Sequence, residues 1–141
     1  MKFKIILLLC FAAFWVMNAK AQVGAGKQRI EVISVCTSLK DTSEKWSDWS
    51  EKTKVDLTIK IEYTNQKIVF ISDEEEDEAF DMERYTRKEA ESGESETTKF
   101  YCTNHKGKEC TLRYVVYTES SKSKFYVEYA KKKYMYTCKA E

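Results

Sequence analysis

Four of the five cysteines, the fifth being Cys10 in the N-terminal apolar run, the single histidine and a run of six acids are the residues of this chain whose types and spacing bear on chemistry. Cys102 and Cys110 flank Asn104-His105-Lys106-Gly107-Lys108. A three-residue loop of His105, Lys106 and Gly107 puts the glycine at the left-handed position such loops need. That loop pairs Asn104 with Lys108 and sets Cys102 opposite Cys110. Directly opposed strand residues have Cα atoms about 4.5–5.5 Å apart, within disulfide reach. A Cys102–Cys110 bridge leaves Cys36 and Cys138 to join the first and last strands. The rival chemistry of four cysteines is zinc, but no Cys-x-x-Cys pair occurs, and zinc sites are normally built on such close pairs.

Catalysis finds little to work with. Outside the disulfides, nucleophilic chemistry would rest on His105, on a loop tip with no third group to hold it. Cysteines joined in bridges are not nucleophiles. Carboxylates are too many for their spacing to single out an acid–base pair. The chain therefore reads as a non-enzyme without a cofactor. Asp73 to Glu78 is a solvated tip of like charges. A calcium reading would use Asp73, Glu75 and Asp77, yet a calcium loop spaces its carboxylates and needs a glycine for its bend. Aromatic residues crowd the C-terminal third. Cross-strand packing is their usual role. A ligand-stacking surface is the functional alternative, with Tyr114, Tyr126, Tyr134 and Tyr136 as candidates. Trp46 and Trp49 lie in a polar connection and form either an exposed binding patch or, preferably, a lid over one barrel end.

The elements that must position these groups are strands. Residues 1–21 read as a secretory leader: Lys2 and Lys4, an apolar run from Ile5 to Met17, and Ala19-Lys20-Ala21 before a cut near Gln22. The run is too short to span a membrane. Export, to the periplasm or beyond, suits a disulfide framework. Cleavage leaves 120 of 141 residues and removes three lysines and no acid, taking the net charge from +1 to −2. A near-neutral chain of this length suits one domain and gives no reason to expect nucleic acid. Residues 22–28 are expected to be loose, and 29–141 to form the single β domain.

Period-two alternation marks the strands. In Arg29–Ser38, Ile30, Val32, Ser34 and Cys36 share a face. Val55–Tyr63 and Lys67–Ser72 follow, then a short strand through Phe80, Met82 and Arg84. Thr86 to Glu96 is either a helical turn stopped by Gly93 or a hairpin tip. The cysteine hairpin and two further strands, Lys124–Ala130 and Tyr134–Cys138, complete about eight antiparallel strands. Successive hairpins of this kind close as a small all-β barrel or stack as a two-sheet sandwich. A bridge between the end strands favours closure.

Ala-Lys-Ala-Gln, then KWSDWS with VDLTIKIEY, YCTNHKGKEC and KFYVEYAKKKYMY resemble a group of small exported all-β proteins of Bacteroidota-type bacteria. The group has no assigned activity, so the resemblance carries over no site residue. By fold analogy the layout is similar to lipocalin-like carriers and to small periplasmic lysozyme inhibitors. The expectation is a monomeric, non-catalytic binding domain that meets a protein or glycan through loops and aromatic surface. A carrier of a small apolar ligand and an enzyme inhibitor are the alternatives.

Overall fold

The structure is a computed structural model that describes residues 26–88, 95–118 and 122–139. The expected leader, residues 22–25, and 89–94 with its expected helical turn lie outside the described residues, while Lys27 and Gln28, expected to be loose, are paired in the first strand. Eight strands run in order: β1 (Lys27–Leu39), β2 (Thr53–Glu62), β3 (Lys67–Ser72), β4 (Glu78–Lys88), β5 (Ser95–Asn104), β6 (Glu109–Tyr117), β7 (Ser123–Glu128) and β8 (Lys132–Cys138). Each is antiparallel to the next, and β8 returns to β1, so the sheet closes as a barrel and not as a sandwich. Thr86–Lys88 and Ser95–Glu96 belong to the arms of the β4–β5 hairpin.

Alternation explains the packing. Ile59 and Ile61 on β2, Ile68 on β3, Phe80 on β4, Phe100 on β5, Leu112 on β6 and Phe125 on β7 are all fully buried and fill the middle of the barrel. Each such side chain contributes roughly 1.5–3 kcal/mol on burial. A barrel of eight strands is just wide enough for side chains to fill. The rings interlock: Phe100 stacks on Phe125 at 6.4 Å, and Phe70 meets Phe80 at 5.2 Å.

The β5–β6 turn is built as its residues predict. The Asn104 N–H donates to Lys108 O and the Gly107 N–H to Asn104 O, each at 2.9 Å, and Gly107 has φ 82°. Cys102 stands opposite Cys110.

Two bulges alter the expected faces. β1 slips by one residue between Val32 and Ser34, and β4 does so between Met82 and Arg84. Before the first slip Ile30 and Val32 face the core. After it Val35 sits opposite inward-facing Tyr136, and Cys36 opposite Met135 on the outer side. Cys138 faces inward opposite Val32. The expected Cys36–Cys138 bridge is therefore corrected: the two sulfurs lie on opposite sides of the wall and three positions apart in register. All four cysteines are buried free thiols in this structure. Likewise Arg84 faces outward, and Tyr85, opposite Phe100, takes the inner side.

Candidate functional site

The connections 40–52, 73–77, 105–108 and 129–131 all lie at one end of the barrel, as the strand order requires. There the interior is not filled. A cup of about 750 Å³ opens between β1, β2, β3 and β8, floored by Val35, Val55, Leu57, Phe70, Tyr134 and Tyr136. Two features of the sheet make it. The β1 bulge turns Val35 and Thr37 inward, and both are small for a barrel interior. The β3–β4 ladder holds only four pairs, Lys67–Phe70 with Glu78–Asp81, so the sheet parts beyond Phe70. The acidic connection crosses that gap, and Glu74, Glu75, Glu76 and Glu78 line the cup.

Tyr136 meets Phe70 edge-on at 5.4 Å and stacks on Tyr134 at 6.2 Å. Burial, and then the Glu78 charge, push the Tyr136 hydroxyl well above its ordinary pKa. A second hollow of about 610 Å³ adjoins the cup through Tyr134 and Glu78. Its other charged lining is mostly basic: Lys106, Lys108, Lys131 and Lys132, with His105 and one further acid, Glu109. His105 Nδ1 lies 3.9 Å from Glu78 Oε2. Asn104 Nδ2 donates to Tyr129 Oη at 3.1 Å, and burial raises the Tyr129 pKa to about 12. The mouth is thus acidic on one side and basic on the other.

The six aromatic candidates fall into three places. Tyr134 and Tyr136 line the cup. Tyr114 lies inside the barrel, 5.9 Å from Phe125, with its hydroxyl donating to Ser123 Oγ at 3.5 Å. Trp46, Trp49 and Tyr126 gather on the outer wall. Trp49 is 6.3 Å from Tyr126, and Lys133 Nζ lies 4.3 Å from the Trp46 ring centroid and 5.2 Å from that of Trp49. The indoles are therefore not a lid over the barrel end. The reason is backbone pairing: the N–H of Ser47 donates to Leu39 O and that of Ser50 to Thr37 O, which carries the connection along the outside of β1. Within it, Asp41 to Lys45 form a small turn closed by a Lys40–Trp46 bridge. On the same wall Arg113 stacks at 4.3 Å over Tyr126 and forks onto Glu128 at 2.9 and 3.2 Å.

The calcium candidate does not hold together. Among the described residues no three His, Cys, Asp or Glu side chains converge to hold a metal, and Asp73, Glu75 and Asp77 are no exception. No helix among the described residues is long and apolar enough to cross a membrane. Phe70, Val35 and Glu78 are site residues that strand reading missed. Phe70 looked like core, Val35 is turned inward only by the bulge, and Glu78 looked like one more solvated acid. Compared with known proteins, the chain matches no family model, no curated protein and no solved structure.

Proposed function

We propose that the chain is an exported, non-catalytic binding domain that meets a protein or glycan partner at the loop-bearing end of its barrel. One observation carries this reading: the middle of the barrel is packed solid, whereas the mouth holds an open cup bordered by the acidic connection and floored by aromatic rings. Concave, largely apolar sites with a few convergent polar groups are where proteins take ligands. The Trp46–Trp49 connection, pinned along β1 by several hydrogen bonds, offers a rigid flank to the same partner. Size favours one second reading, a carrier that holds a small apolar ligand in the cup alone.

Export accounts for the leader and for the cysteine hairpin. In an oxidising compartment Cys102 and Cys110, opposed in register, would join without any change of pairing. Peptide mapping without reduction should then yield the Cys102–Cys110 peptide, with Cys36 and Cys138 as free thiols.

Native mass spectrometry of the protein recovered from its own cell envelope tests the function. The expected result is a complex that survives in the natural chain and is lost when Tyr134 and Phe70 are replaced by alanine. A complex insensitive to those changes would overturn the assignment to the mouth. A small-molecule adduct that leaves on denaturation would select the carrier reading instead.

A further inference from the structure

The lining of the cup is unbalanced in charge. Asp56, Glu74, Glu75, Glu76 and Glu78 border it, against one cation, Lys54. Of these carboxylates only Glu78 has an ion-pair partner among the described residues, His105. Beneath them lie the rings of Tyr136 and Phe70, 5.4 Å apart. The outer wall shows what this chain does with such a pairing of groups. Arg113 lies over Tyr126 and forks onto Glu128, and Arg84 lies 3.7 Å over Tyr101. A planar guanidinium can stack on a ring and bond a carboxylate at two points at once, which a lysine ammonium cannot. In the cup rings and carboxylates stand together as they do on the outer wall.

Taking the mouth as the binding site, as proposed above, we propose that the cup receives an arginine side chain presented by a protein partner. The guanidinium would sit between the Tyr136 ring and the carboxylates of Glu75 and Glu78. A neutral or acidic glycan has no group that answers five carboxylates, so charge favours a protein among the two partner classes. A cup of about 750 Å³ exceeds one side chain, so residues flanking the arginine would enter with it.

N-acetylargininamide and its neutral isostere N-acetylcitrullinamide are the probes. Each is titrated into the full exported protein while methyl NMR signals of Val35, Val55 and Leu57 are followed. The arginine probe should shift these methyls and bind at least about tenfold tighter than the citrulline probe, since stacking and ion pairing reinforce one another in a half-enclosed site. The preference should shrink with added salt and vanish in the double variant Glu75→Gln, Glu78→Gln. Equal affinity for the two probes would overturn the arginine inference and leave the mouth as a binding site. Shifts confined to residues outside the cup would do the same. If neither probe moves any signal, the arginine inference falls as well, and the mouth assignment is then decided by the native mass spectrometry of the Tyr134 and Phe70 variants.

Discussion

Asp41 and Asn104 open the same turn. Each Oδ1 accepts two backbone N–H groups, from Ser43 and Lys45 in one case and from Lys106 and Lys108 in the other. The left-handed position is filled by Gly107 (φ 82°) in the second turn and by Glu44 (φ 66°) in the first. A side chain there is strained. Glu44→Gly should therefore raise stability by up to about 1 kcal/mol in urea unfolding, even with the exposed Lys40–Glu44 pair lost. Gly107→Ala should lower it by about 1 kcal/mol through backbone strain alone, since a Cβ there would meet nothing within 4 Å. The backbone N–H of Lys45, above all, holds the Asp41 carboxyl below its ordinary 3.8. A depressed carboxyl pKa gives stability that is complete above the unfolded value and fades as pH falls below it. Asp41→Asn should keep the turn at neutral pH, as Asn104 does, and flatten the acid limb of the stability–pH curve below about pH 4. A variant limb as steep as that of the natural chain would count against this role.

Strands and the cysteine hairpin were legible because their causes are local. Alternation marks a pleated strand, and Asn-x-x-Gly specifies its turn. The bulge after Val32 was not legible, because a one-residue slip is decided by what β1 pairs with on each side. Its inner face follows β2 up to Val32 and β8 beyond it. The second turn was hidden because Glu44 stands where a glycine would have announced it. The course of the connection from Lys40 to Lys52 was hidden as well, since Ser47 and Ser50 act as a surrogate strand that no alternation reveals. That connection supplies its own reporter. If residues 1–21 are removed on export, as proposed, Trp15 goes with them and leaves Trp46 and Trp49, both packed against Lys133. Lys133→Met should shift the tryptophan emission and cost about 1 kcal/mol or less, as cation–π contacts at exposed sites do. An unchanged spectrum would mean that Lys133 does not hold the indoles.

At the scale of the whole barrel, burial decides how the molecule responds to base. In the reduced protein it pushes the Cys102 thiol up to about 12 and Cys110 to about 11, from 9.0. Raised acid-group values mean that the folded state keeps its protons longer than the unfolded chain. The stability they provide is complete below about pH 9 and fades as pH climbs toward 11. Urea midpoints between pH 8 and 10.5 should fall further for the reduced protein than for the form oxidised at Cys102 and Cys110, which has no thiol there to ionise. Equal falls would show that Cys138, raised to about 11 by burial, and the tyrosines set the alkaline limb. The bulge in β1 bears on a longer timescale. Because one extra residue inverts the parity of everything after it, the lining of the mouth can be exchanged by a single codon gained or lost. No point substitution in the packed middle is needed. A lineage carrying this barrel has a route to new ligands through insertion and deletion at the rim, where the residues exchanged lie beyond the packed middle.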